Sequence, residues 1–153
     1  YFELCQKLRR AFGGETAVTT DIIAGFPGET EEEHLETIEF MRKVGFAKVH
    51  IFPYSRRSGT KADAMPGQLS NAEKSRRAGE LIAVGRESEH EYLEQYVGET
   101  VNVLIEKCVD NVSYGCTDTY AAVRINSAIT PNTFADVKIK YIKEDMNGEL
   151  YLL

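Results

Sequence analysis

The stretch Asp21-Ile22-Ile23-Ala24-Gly25-Phe26-Pro27-Gly28-Glu29-Thr30 constrains the fold more than any other, because an apolar run stops there at a tight turn and a helix start follows at once. Residues 17–24 are rich in β-branched side chains and carry no breaker, which predicts a buried strand of the parallel-sheet kind. Gly25 and Gly28 admit backbone angles and close approaches that a side chain would block, with Pro27 fixing the turn between them. Thr30 is placed to cap a helix opened by Glu31, and Glu33 stands in capping-box register. Three glutamates in that first turn suit the positive end of the helix dipole. A strand, a glycine turn and a helix N-terminus in this order put a ligand site at the carboxyl end of the strand.

The following residues repeat the theme. Leu35, Ile38, Met41 and Val44 form an apolar stripe, Gly45 ends the helix, and residues 47–54 read as a second strand covered on both faces. Strand, helix and strand make a βαβ unit with a parallel sheet. Phe2, Leu4, Cys5, Leu8, Ala11 and Phe12 sit at helical spacing ahead of it, and Tyr1 starts inside that pattern without a cap, the expected look of a segment from a longer protein. Residues 55–69 form a loop longer than most α/β connections, which points to function. Ser70, with Glu73 in register, caps a further helix whose core side is predicted to be Ala78, Leu81, Ile82, Gly85, Tyr92, Leu93 and Tyr96. His34 and His90 are expected on exposed helix faces, and His50 on a face turned to the interior of a barrel.

Near Gly98 the period changes from helical to two. Val101, Val103 and Ile105 alternate with Asn102, Leu104 and Glu106, Asp110-Asn111 is a turn, residues 120–125 form a short strand, and residues 137–142 alternate as one strand. Asn147-Gly148 is a hairpin signal before a last strand at 149–153. The reading is therefore α/β plus all-β, with residues 1–95 as one domain and 96–153 as a small OB-like barrel.

Charge and cysteine usage limit the partners. The net charge of −6 is shared, with 13 basic against 16 acidic residues through Gln95 and 5 against 8 after it, so RNA contact requires a local patch. Three scattered cysteines, Cys5, Cys108 and Cys116, fit a reducing, cytoplasmic setting better than a disulfide scaffold. Apart from the loose pair Cys108/Cys116 they lack metal-ligand spacing, and they read as core or incidental thiols.

The stretch 20–30, followed by His50-Ile51-Phe52-Pro53-Tyr54-Ser55-Arg56-Arg57-Ser58-Gly59-Thr60-Lys61-Ala62, resembles the radical S-adenosylmethionine (SAM) methylthiotransferases. Residues 115–120, Gly-Cys-Thr-Asp-Thr-Tyr, resemble a turn of the TRAM domain that closes those enzymes and helps bind tRNA. The resemblance covers essentially the whole chain and is strongest to the branch acting on threonylcarbamoyladenosine beside the anticodon. It implies the C-terminal part of a radical SAM barrel, a partial TIM-type barrel, followed by a TRAM β-barrel. It also implies the chemistry: a reduced 4Fe-4S cluster cleaves SAM to a radical that takes hydrogen from the base, a second cluster supplies sulfur, and another SAM supplies the methyl group. The cluster-binding cysteine triplet of that family is absent from this stretch, so the segment alone is expected to be inactive.

By the same resemblance, the cofactor-binding residues are Asp21, Ile23, Gly25, Phe26, Gly28, Glu29, Phe52 and Tyr54. Arg56 and Arg57 stand where a guanidinium fork suits phosphate or carboxylate. Tyr120, Arg124, Lys138 and Lys140, with Lys107 beside them, are the RNA-facing set of the terminal barrel. The implied partner is the anticodon stem-loop of tRNA, and a cut barrel is expected to dimerise or exchange strands. Two alternatives stay open: a noncatalytic RNA-binding module, and a methylthiotransferase acting on a ribosomal protein. The Ser55-Arg56-Arg57 loop speaks against the last, since that branch tends to be acidic there.

Overall fold

The computed structural model describes residues 1–13, 16–146 and 149–153, and the chain divides into two compact units. Val18–Glu89 forms one; Tyr1–Ala17 with His90–Leu153 forms the other. No helix among the described residues is long and apolar enough to cross a membrane.

In the first unit, strand β1 (Thr19–Ala24) and strand β2 (Lys48–Pro53) pair in parallel, from Thr19 opposite Lys48 to Ala24 opposite Pro53. Helix α2 (Glu31–Val44) connects them, numbered after helix α1 (Phe2–Phe12) of the other unit. Its start is the capping box read from sequence: the Glu33 amide donates to Thr30 Oγ1 at 3.2 Å, and the Thr30 amide donates to Glu33 Oε2 at 2.8 Å. Gly45 closes the helix in the left-handed conformation. Helix α3 (Asn71–Glu94) begins with the Glu73 amide bonded to Ser70 Oγ, as expected. It lies against the sheet at Gly85, where an added Cβ would stand 3.5 Å from Ile51 Cδ1 and 3.8 Å from Met41 Cε. Those are ordinary van der Waals distances, so helix and sheet pack there with room for a methyl group. Ala24, Met41, Val44, Phe46, Ala78, Leu81 and Val84 form the buried layer.

Three expectations need correction. The strands are not covered on both faces: helices pack on one side, and on the other Ile23 and Phe52 are each more than half exposed (54% and 53%). Parallel register puts Asp21 beside His50 and Ile23 beside Phe52 on that open face. On α2, the buried stripe is His34, Met41 and Val44, while Leu35 is 51% exposed. On α3, Ile82 is exposed, and Val84 and Ser88 are buried instead.

The second unit holds a six-stranded sheet made by β3 (Thr100–Val109), β4 (Val112–Cys116), β5 (Ala122–Ile125), β6 (Thr133–Lys138), β7 (Ile142–Glu144) and β8 (Leu150–Leu152). The order is β6-β3-β4-β5-β8-β7, antiparallel except for β5 with β8. Asp110 and Asn111 both have positive φ, the geometry of a two-residue primed hairpin turn joining β3 to β4. Residues 137–142 are not one strand. The chain leaves β6 at Lys138, Ile139 exchanges backbone hydrogen bonds with Gly98 and Glu99, and Tyr141 then pairs with Leu153. A single run of chain thus supplies both outer strands of the sheet, which rolls up around Val103, Ile105, Val123, Ile139 and Leu152. β7 and β8 pair antiparallel, while Asn147-Gly148 lies outside the described residues.

Candidate functional site

At the carboxyl ends of β1 and β2 a cavity of about 500 Å³ opens on the uncovered sheet face. Ile23, Phe52 and Tyr54 give it apolar and aromatic walls, and Ser55, Arg57 and Thr60 add polar groups. The Tyr54 hydroxyl is buried without a hydrogen-bond partner, and an unsatisfied buried hydroxyl favours whatever can accept from it or donate to it. The two loop arginines separate here. Arg56 is taken by Asp63, through both its side chain and its carbonyl, whereas Arg57 lines the cavity.

Behind this cavity the Gly25–Gly28 turn is fixed by Glu29. Its Oε2 accepts from the Gly25 amide at 2.9 Å and the Phe26 amide at 3.2 Å, and its Oε1 accepts from Arg77 at 2.8 Å. Gly25 has φ 72°, and an added Cβ would stand 2.5 Å from Lys74 Cγ, so no other residue fits without displacement. Lys74 in turn lies over the Tyr54 ring, 5.8 Å from its centroid, and Phe26 meets that ring edge-on. The Gly28 amide donates to Gly67 O at 2.9 Å, which ties the long loop to the turn.

Arg77 is the hub of this arrangement. Burial alone would lower its pKa, but hydrogen bonds to Glu29 and Glu73 outweigh that and the net shift is upward. Hydrogen bonds from Arg76 and then Arg77 hold the Glu73 carboxyl down at about 2. His34, expected on the surface, is fully buried, with Nε2 at 2.7 Å from Glu80 Oε2 and Nδ1 at 3.8 Å from Glu29 Oε1. Hydrogen bonds from His34 and Arg76 lower the Glu80 pKa, so that carboxylate accepts and Nε2 carries the proton.

The residues named from sequence do not all meet. Ile23, Phe52, Tyr54 and Arg57 gather at the cavity; Asp21 shares the open face but does not line it. Phe26, Gly28 and Glu29 border a shallow depression along α2 with Glu33 and Phe40. Both oxygens of Glu29 are engaged inside the protein, so the structure gives it a loop-holding place. Ser55 and Thr60 were missed, although hydroxyls beside Arg57 on an over-long loop were a readable signal. Arg77 and His34 were missed because only the fold brings α3 to the turn.

In the second unit Tyr120, with φ 63° and 87% exposed, borders a cavity with Leu104, Asp118 and Phe134, while Arg124 lines another with Tyr114 and Tyr151. Lys138 and Lys140 are exposed at the end of β6 and just beyond. Cys5 is buried; Cys108 and Cys116 are half-buried, and burial together with Glu106 raises the Cys116 pKa. Thiols on separate elements, one of them held protonated, do not fit an iron–sulfur cluster, which needs gathered thiolates.

No family model matches the chain. It is 41% identical, over 76% of its length, to the threonylcarbamoyladenosine tRNA methylthiotransferase MtaB of Bacillus subtilis, of which it spans 27%. It is 39% identical over 82% of its length to a tRNA-2-methylthio-N(6)-dimethylallyladenosine synthase of Finegoldia magna, spanning 28% of that protein. Against the ribosomal protein uS12 methylthiotransferase RimO of Alkaliphilus oremlandii the identity is 33% over 97% of the chain and 36% of the relative. The chain therefore spans about a quarter to a third of the length of the curated relatives it matches. Together with the Gly-Phe-Pro-Gly turn and the arginine loop, matches of this extent to three kinds of methylthiotransferase mean that the chain belongs to the radical SAM methylthiotransferase family.

Proposed function

We propose that this chain is the part of a tRNA methylthiotransferase that completes the SAM-side wall of a radical SAM barrel and adds a TRAM domain, the division falling near residues 95 and 96. The open face of β1 and β2 supports the barrel reading, because strands with helices on one side only are what a barrel wall looks like from its axis. The strand order, with both outer strands drawn from one run of chain, supports an OB-like barrel for the second unit. The setting is cytoplasmic.

The observation that carries the reading is the cavity at the strand ends, with its aromatic walls, unsatisfied Tyr54 hydroxyl and inward-lining Arg57. These residues fit a nucleoside-like group: Ile23, Phe52 and Tyr54 supply apolar contact, Ser55 and Thr60 hydroxyls, and Arg57 a fork for carboxylate or phosphate. When bound, SAM and the 4Fe-4S clusters supply the hydrogen abstraction, the sulfur and the methyl group. This chain's residues bind and orient; Glu29, Arg77 and Lys74 keep the Gly25–Gly28 turn in shape, with Asp21, Phe26 and Gly28 around it. The substrate is a modified adenosine next to the anticodon of tRNA, held by Arg57 with Arg56 braced behind it on Asp63, and the anticodon stem-loop lies on Tyr120, Arg124, Lys138 and Lys140.

In the enzyme carrying this chain, Arg57→Ala is expected to lower tRNA methylthiolation on the order of a hundredfold while tRNA binding changes less than threefold, since the contact is directional and near the reacting base. Equal activity of Arg57→Ala and wild type overturns the role. The match to the uS12 enzyme over 97% of the chain favours a ribosomal-protein substrate as the second reading. Offering the enzyme tRNA and that protein side by side decides: sulfur on the protein and none on tRNA replaces the first reading with the second.

A further inference from the structure

After Gln95 the chain has only five lysines and arginines, and three of them come together on the outer surface of the sheet with two tyrosines. Ser113 and Gly115 are buried, so Tyr114 between them turns outward. Buried Val123 puts Arg124 outward, and buried Leu150 and Leu152 put Tyr151 outward. Cross-strand register sets Lys107 opposite Tyr114, Tyr114 opposite Arg124, and Tyr151 opposite Lys143. Arg124 lies one residue after, and Tyr151 one residue before, the Val123–Leu152 pair that joins β5 to β8 in parallel, so these two are diagonal neighbours. Five neighbouring strands, β3, β4, β5, β8 and β7, therefore each contribute one residue, in the order cation, aromatic, cation, aromatic, cation. At about 4.8 Å between strands the row is ~19 Å long.

The groups are in contact. Lys107 Nζ lies 5.0 Å from the centroid of the Tyr114 ring, and the Tyr114 and Tyr151 rings meet edge to face at 6.2 Å. Arg124 borders a small cavity with both tyrosines and Lys143, and its Nε is buried there without a hydrogen-bond partner. Arg124 as a residue is only half-buried, so the accessible part of its guanidinium can take an anionic oxygen, while the enclosed Nε is reached only if the side chain shifts. Glu144 and Asp145 line the same cavity, which confines the anion to the side of the arginine.

We propose that this row is the track for one single-stranded segment of RNA, its phosphates on Lys107, Arg124 and Lys143 and its bases against Tyr114 and Tyr151. The proposal rests on the reading of the second unit as an RNA-binding barrel and gives that reading its face and its ligand class. Alternation of cation and aromatic is the chemistry of a strand whose backbone is charged and whose bases are free to stack. An acidic protein segment needs the cations but has no use for the tyrosines. Lys138 ends β6, at the far edge of the sheet order from β8, and Lys140 follows it on the stretch whose backbone bonds to Leu153; neither belongs to the row.

The test uses the full chain with a fluorescein-labelled ribo-oligonucleotide of ten adenosines, titrated by anisotropy across salt, with thermal melting to confirm that each variant folds. Lys107→Ala with Lys143→Ala is expected to weaken binding about tenfold at low salt and to flatten the slope of log K against log salt by about 1.4. Tyr151→Leu should weaken binding about tenfold with the slope unchanged, and Tyr151→Phe should keep the wild-type affinity, because stacking needs the ring and not the hydroxyl. If the oligonucleotide binds and these variants leave it unchanged while Lys138→Ala with Lys140→Ala weakens it, the row is wrong and the RNA reading stands. Failure of the wild-type chain to bind overturns both. Loss on removing the lysines with no loss for Tyr151→Leu, and equal competition by decaglutamate, makes the face an anion patch for acidic protein and overturns the proposal.

Discussion

Glu29 is held from two sides: by the Gly25 and Phe26 amides, and by Arg77. Replacing Arg77 leaves a partly buried carboxylate facing the turn without its main partner, and Arg77→Met is expected to cost about 3 kcal/mol in urea unfolding at pH 7. Acid should undo the same cluster. Glu73, held by Arg76 and Arg77, and Glu80, held by His34 and Arg76, both titrate below the ordinary glutamate value of 4.5 in the folded chain. A depressed carboxyl pKa gives stability that is present above 4.5 and is lost as pH falls towards about 2, where Glu73 protonates. Melting temperature followed from pH 6 to pH 2 should therefore fall through that window, and Arg77→Met should show a shallower fall; parallel curves for variant and wild type would separate Arg77 from the titration. The capping box was legible because its partners lie three residues apart. His34 was not legible: it shares a helical stripe with Ile38 and Met41, but its residue type gave no reason to bury it until Glu80, far along the chain, came into reach.

At the scale of elements, local signals served where the pairing was local. The β1–α2–β2 unit and the Asp110-Asn111 hairpin follow from short-range pattern and turn chemistry. Residues 137–142 alternate without a break, yet the strand ends at Lys138, because the backbone of Ile139 bonds to Gly98 and Glu99 and the next residues pair with Leu153. Periodicity records which side chains point inward; it does not record which neighbour the backbone has chosen. Ile139 keeps its inward direction through the change of partner and is fully buried, so the joint depends on it. Ile139→Ala is expected to lower stability by about 3 kcal/mol, with Lys140→Ala next to it within about 0.5 kcal/mol of wild type. Chemical denaturation of both variants checks this, and equal effects would mean that the joint is held by its backbone bonds alone.

Taken as a whole, the molecule buries one face of its β1–β2 sheet and leaves the other open, with Ile23 and Phe52 side by side and Phe26 also exposed at the strand ends. The sheet has only two strands, so each carries an outer edge whose amides and carbonyls have no third strand among the described residues. A continuous apolar run looks alike whether its second face meets helices of the same chain or something else, so the openness was legible only through the expectation of a cut barrel. Exposed edges and an apolar face favour pairing with a second copy. The net charge of −6 opposes association only over the screening length of the buffer, about 8 Å at 0.15 M salt, and so weakens contact without preventing it. Light scattering of the purified chain is expected to show a concentration-dependent dimer, favoured by added salt. Phe52→Lys, which places a charge at the centre of the open face, should return it to monomer with the melting temperature little changed. A wild-type chain that stays monomeric at high concentration and salt, with its β1 and β2 amides as protected from exchange as those of β3 and β4, would show that the open face needs no partner.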